Sequence, residues 1–176
     1  MMIPDSYNMD MKLNTSDIDK ISAGLKAHNL FLCTAESCTG GLLGHIITNL
    51  PGASDFYLGG QITYSNTAKI HWLQVPPEIL EKFGAVSEQT ITAMAKGIRA
   101  AFSHTVPLEN LVGISISGIA GPSGGSAEKP VGTVWIGISM PGYQDARSFL
   151  FKGDRASIKE QSAQAALTLL QQVLSE

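Results

Sequence analysis

The sequence predicts a single-domain α/β protein, a three-layer α/β/α sandwich, on three observations. Short apolar runs bounded by polar or glycine residues alternate with stretches whose apolar residues recur at helical spacing. A length of 176 residues, 44% hydrophobic and 15% charged, suits one domain that buries a real core. No internal repeat or low-complexity tract interrupts the alternation.

Each element follows from local chemistry. Residues 1–14 are polar and read as a leader, which leaves 15–176 for the folded domain. Asp17 to His28 is a predicted helix, with Ser16 as its cap and Ile18, Ile21 and Leu25 on one face. Leu30 to Cys33 is a short apolar strand, and Leu42, Leu43, Ile46 and Ile47 mark the helix beyond it. Asn49-Leu50-Pro51-Gly52 is a break, after which Phe56 to Tyr64 reads as a strand interrupted by Gly59-Gly60. Val75-Pro76-Pro77 turns the chain into a short helix over Glu78 to Phe83. Ser87 caps a longer helix through Phe102, whose core face carries Ile91, Met94, Ala95 and Ile98. Leu111 to Ser117 is a strand, 118–132 a glycine-rich loop, Val131 to Met140 another strand and Ala146 to Phe151 a fifth. Asp154 to Leu174 closes the chain as a helix with Ile158, Ala165, Leu169 and Val173 among its apolar positions. In such a sandwich, ligands sit in loops beyond the strand ends.

Composition excludes several function classes. A formal charge of −3, with scattered Lys and Arg, supplies no basic field for a nucleic-acid backbone. Cys33 and Cys38 are the only cysteines and have no CxxC partner set, which argues against a disulfide framework or a zinc site and for a reducing, cytoplasmic location. His28, His45, His71 and His104 fall in separate elements and read as surface or packing residues, so no metal site is expected. No signal peptide and no membrane-length apolar run are evident.

Three loops carry chemistry. In the first, Ser37 sits where a strand hands over to a helix, with Thr39, Gly40 and Gly41 beside it. Glycines there let an oxyanion approach the unpaired N–H groups of the helix start, which suits a nucleophile beside its own anion hole. Helix capping by Ser37 or Thr39 is an equally good reading of that motif alone. The second loop, Tyr64-Ser65-Asn66-Thr67-Ala68-Lys69, offers an amine to take the serine proton if burial lowers its pKa. Spacing alone favours a solvated Lys69 and a packed Tyr64. The third loop, with Gly118, Ala120, Gly121, Gly124, Gly125 and Lys129, is richer in glycine than a connector requires and reads as a ligand wall. It matches neither a Walker A loop nor a dinucleotide fingerprint.

Five separated strings then agree in order with one family: Ala35-Glu36-Ser37-Cys38-Thr39-Gly40-Gly41, Tyr64 to Lys69, Gly84-Ala85-Val86-Ser87, Gly118 to Gly125, and Lys129-Pro130-Val131-Gly132-Thr133-Val134. They closely resemble the CinA C-terminal domain family, the nicotinamide-nucleotide amidohydrolases called PncC, from about Asp17 to the C-terminus. The resemblance implies deamidation of nicotinamide mononucleotide to nicotinate mononucleotide and ammonia, in pyridine nucleotide recycling. It implies Ser37 as nucleophile, Lys69 as base and Tyr64 as an assisting group, which reverses the reading of Lys69 from spacing. The N–H groups near Thr39 to Gly41 are the implied oxyanion donors, no metal or organic cofactor is needed, and a homodimer is suggested. Longer CinA proteins carry a further N-terminal domain, which this chain is expected to lack. Cys38 is a weak rival nucleophile, since its side chain should point away from that of Ser37. Glu36 either orients Lys69 or satisfies the helix start. Arg155 either meets a substrate phosphate or, by default, pairs with acidic residues of its own helix. A non-catalytic nucleotide-binding module linked to competence or recombination is the alternative function.

Overall fold

The computed structural model describes residues 15–175; the 1–14 leader lies outside them. The helices are α1 (Thr15–Ala27), α2 (Leu42–Thr48), α3 (Asn66–Leu73), α4 (Pro77–Phe83), α5 (Glu88–Phe102) and α6 (Arg155–Leu174). The strands are β1 (Phe31–Glu36), β2 (Tyr57–Ile62), β3 (Leu111–Gly118), β4 (Thr133–Met140) and β5 (Tyr143–Leu150). They form one sheet in the order β2-β1-β3-β4-β5. β1 is parallel to both β2 and β3, whereas β4 and β5 run antiparallel to their neighbours.

Alternate residues of each strand face two helical layers. Leu32, Ile114 and Ile136 pack with α1, α2 and α6 on one face, through Leu25, Leu43 and Leu170 among others. Cys33, Ala35 and Leu111 pack on the other face with Leu73, Leu80, Ile91, Met94 and Ile98 of α3, α4 and α5. The predicted three-layer sandwich is therefore present. On the α5 side β3 presents Gly113 and Ser115, small residues that let α5 lie close: the Ser115 hydroxyl donates to the Ile91 carbonyl at 2.7 Å. A Cβ at Gly113 would collide with the Ala95 carbonyl.

The boundaries differ from the sequence reading where distant partners intervene. α1 begins at Thr15, so Ser16 lies within its first turn instead of capping it. β1 continues past Cys33 to Glu36 although Thr34 and Glu36 are polar, because both find partners once buried. β5 starts at Tyr143, ahead of Ala146, because it forms a hairpin with β4 through Pro141-Gly142, where Gly142 takes φ 70°. β4 begins at Thr133, two residues after Val131.

Topology opens a crevice. From β1 the chain leaves through α2 on one face to reach β2; from β2 it returns through α3, α4 and α5 on the opposite face to reach β3 on the other side of β1. Right-handed crossovers in opposite directions require helices on opposite faces, so the connections after β1 and β2 diverge. The carboxyl ends of these two strands therefore stand side by side with a gap between them, the usual ligand position in such sheets.

Candidate active site

Ser37 and the Thr63–Lys69 segment occupy that crevice. Ser37 follows β1 directly and its N–H donates to the Ile116 carbonyl of β3 at 2.9 Å; Thr63 follows β2 and its N–H donates to the Glu36 carbonyl at 2.8 Å. The Lys69 side chain, 1% exposed on the first turns of α3, lies 3.0 Å from the Ser37 hydroxyl oxygen and donates to the Thr63 carbonyl at 2.8 Å. Ser65 caps α3 by accepting from the Ala68 N–H, which sets the direction in which Lys69 leaves the helix. Burial lowers the Lys69 pKa from the ordinary 10.5 to about 8. A serine hydroxyl and an easily deprotonated amine thus meet across 32 residues of chain.

Glu36 is a helix-start carboxylate. Its Oε2 accepts from the Thr39 hydroxyl at 2.7 Å and from the N–H groups of Gly41 and Leu43 at 3.0 and 3.1 Å; its Oε1 accepts from Gly44 N–H at 2.9 Å. Of the two roles open to Glu36 on sequence grounds, these bonds belong to the second, satisfying the start of α2. Gly40 and Gly41 adopt φ 64° and 98°, left-handed values that a side chain would strain, so the turn that delivers Ser37 depends on them. Replacing Glu36 with alanine leaves four donors without an acceptor and is expected to lower stability by at least about 3 kcal/mol. Urea unfolding checks this; a loss under about 1 kcal/mol contradicts the role.

The same carboxylate moves the anion hole. Gly40 N–H donates to the Ser37 carbonyl at 3.1 Å and Gly41 N–H to Glu36, so neither expected donor is free to meet an oxyanion. Thr39 enters through its main chain, since its hydroxyl is bound to Glu36. The N–H groups of Cys38 and Thr39, the two that follow Ser37, donate to no other residue among the described ones. Burial pushes the Cys38 thiol up to about 11, which keeps it protonated and unreactive at neutral pH.

Tyr64 reaches Lys69 through its carbonyl, 3.5 Å from the amine. Its side chain is 62% exposed, and its phenol oxygen accepts from Arg155 at 2.9 Å. Arg155 also donates to the Gly121 carbonyl at 2.6 Å, so it ties the second loop to the third. These bonds, not acidic residues of α6, engage its guanidinium, and Asp154 serves as the α6 cap by accepting from Ser157 N–H. Thr63 and Lys159 belong to none of the sequence motifs and enter the site only in three dimensions. A Cβ on Gly40 would stand 3.8 Å from the Lys159 amine, so that lysine reaches the Ser37 turn. Its signal was position, one helical turn beyond Arg155 on the same face.

The third loop borders the site at Gly121, but its glycines have packing reasons. A Cβ at Gly118 would meet Val134 at 2.6 Å, one at Gly121 would meet Val131 at 2.6 Å, and one at Gly125 would meet the Val131 nitrogen at 2.7 Å. Gly121 and Gly124 have φ 77° and 91°. Ala120 is buried in the core. Lys129 donates to the Phe83 carbonyl at 3.0 Å, at the end of α4, which anchors the loop to the opposite layer. Among the described residues no group of three or more His, Cys, Asp or Glu is placed to hold a metal ion, and no helix is long and apolar enough to cross a membrane.

The family model of the CinA C-terminal domain matches residues 14–174. A relative from Moorella thermoacetica is 53% identical over 146 residues, covering 83% of this chain and 34% of the relative. A CinA-like protein from Syntrophotalea carbinolica is 46% identical over 145 residues, covering 82% of this chain and 34% of the relative. The chain thus spans about a third of the length of these curated relatives. A crystal structure of a CinA superfamily protein from Enterobacter cloacae superposes with a TM-score of 0.84 at 35% identity, covering 99% of each chain. One from Klebsiella pneumoniae gives 0.83 at 34% identity, covering 93% of this chain and 99% of the other. On sequence and on fold, the chain belongs to the CinA C-terminal domain family.

Proposed function

We propose that the protein deamidates nicotinamide mononucleotide to nicotinate mononucleotide and ammonia through a Ser-Lys mechanism, in pyridine nucleotide recycling. The observation that carries the reading is the buried 3.0 Å approach of Lys69 to Ser37, with the amine brought to a pKa of about 8. Neutral Lys69 takes the hydroxyl proton as Ser37 Oγ attacks the carboxamide carbon. The N–H groups of Cys38 and Thr39 meet the developing oxyanion. The lysine ammonium returns the proton to the leaving nitrogen, ammonia departs, and water hydrolyses the nicotinoyl ester with Lys69 again as base. Arg155 and Lys159 give the rim of the crevice a cationic side suited to the substrate phosphate, and Tyr64 holds Arg155 there.

The test is direct. Purified protein incubated with nicotinamide mononucleotide, in the presence of a chelator, is expected to release ammonia and nicotinate mononucleotide in equal amounts. No release over the protein-free control overturns the reading and favours the nucleotide-binding alternative.

A further inference from the structure

A second cationic recess lies at the opposite end of the sheet. Lys96, Arg99, Ser139, Tyr143 and Gln144 line a hollow of about 500 Å³ between the end of α5, the turn at Leu108–Asn110 and the β4–β5 turn. That volume falls within the range of small-molecule sites. Ser139 pairs with Gly113 on β3, whereas Ser37 bonds near the other end of that strand at Ile116. Intervening strand rise alone separates the two places by on the order of 10 Å.

Arg99 is held there with unusual care and no counter-charge. Its Nη1 donates to the Ser139 hydroxyl at 3.1 Å and its Nη2 to the Leu108 carbonyl at 2.8 Å, both neutral acceptors. Its Nε is buried with no acceptor among the described residues. Gly113 makes room for its stem, since a Cβ there would stand 2.7 Å from Arg99 Cγ. Burial, the main influence on it, lowers the guanidinium pKa, as expected of a cation lacking a carboxylate neighbour. Asp145, on the adjacent strand, is engaged by Arg147 at 2.8 Å and by the Ala146 N–H. Glu109 lines a different hollow with His28 and Leu30. Lys96, one turn earlier on α5, shares the Arg99 side of the helix, and neither forms an ion pair among the described residues.

We propose that this recess is an oxyanion site, distinct from the Ser37 crevice, that takes phosphate or the phosphate of a phosphomonoester. Each terminal nitrogen of Arg99 keeps one further N–H that can donate to an oxyanion. The Ser139 hydroxyl, accepting from Arg99, has its own hydrogen to donate, and Lys96 adds a second positive charge.

Titration of the full chain with inorganic phosphate, and separately with glycerol 3-phosphate, followed by amide and arginine Nε NMR shifts, tests the site. Saturable shifts are expected at Arg99 Nε, Gly142 and Gln144. Arg99→Gln and Lys96→Ala are each expected to weaken binding about tenfold, the loss of one charge-assisted contact. Arg155→Gln, at the other end of the sheet, should leave these shifts as in the unaltered protein. Tighter binding of glycerol 3-phosphate identifies a phosphomonoester site, and equal binding a site for free phosphate. Lys96 makes no structural hydrogen bond among the described residues, so its variant stays informative even where Arg99→Gln fails to fold. Absence of saturable shifts at these residues, shifts confined to the Arg155 end, or unchanged binding in Lys96→Ala overturns the proposal.

Discussion

On the proposed reaction, a Ser37→Ala protein is expected to keep its fold and bind nicotinamide mononucleotide but to release ammonia about 10³–10⁶-fold more slowly, the range seen when a covalent nucleophile is removed. The fold is expected to survive because the Ser37 hydroxyl supports no element: its described partner is the Lys69 amine. Cys38→Ala provides the contrast. That thiol is buried and its pKa is pushed up to about 11, so its removal should leave turnover within about threefold of the unaltered protein. Rates and substrate affinity measured for both variants decide the matter. An active Ser37→Ala protein removes Ser37 from the chemistry, and an inactive Cys38→Ala protein with its fold intact makes the thiol the nucleophile.

Lys69→Arg is expected to lower turnover by a comparable factor, about 10³-fold or more, because a guanidinium cannot lose its proton near neutral pH. In the unaltered protein kcat/KM should rise with pH and level off above about 8, where Lys69 becomes neutral. The shift matters in size: with a pKa of about 8, roughly a tenth of the amine is neutral at pH 7, against roughly one part in three thousand for a lysine at 10.5. The same shift has a stability consequence of definite sign. Folding lowers this pKa, so the unfolded chain binds the proton more tightly and the buried ammonium opposes folding below pH 8. That penalty is relieved as pH rises from about 8 to 10.5. The melting temperature of the unaltered protein, relative to Lys69→Met, should therefore increase across that interval. A flat difference, or a rate profile with no limb near pH 8, contradicts a base at Lys69.

Elements whose causes are local were legible in the sequence. Ser87 caps α5 as expected, accepting from the N–H three residues on, because a cap needs only its own first turn; Asp154, read from sequence as the first residue of the last helix, is the cap of α6 instead. The apolar face of α5, with Ile91, Met94, Ala95 and Ile98, is buried as its spacing predicted. Elements whose causes are distant were not. β1 runs on through Thr34 and Glu36 because Tyr57, on the neighbouring strand, shares a hydrogen bond with Thr34 and the start of α2 supplies donors to Glu36. Lys69 looks like a solvated helix residue by spacing, and its burial follows from the crevice that β1 and β2 create.

An α/β sandwich with a serine turn, a lysine-bearing loop and a glycine-rich loop can be read from the order of residues, since periodicity, caps and glycine placement act over a few positions. How those parts meet depends on the packed fold. Packing brings Lys69 within 3.0 Å of Ser37. It turns Tyr64 toward Arg155 and draws Lys129 to the end of α4. Hydrogen bonds and burial belong to neighbours in space: a donor's partner, and the water removed from an amine, depend on which strands lie side by side.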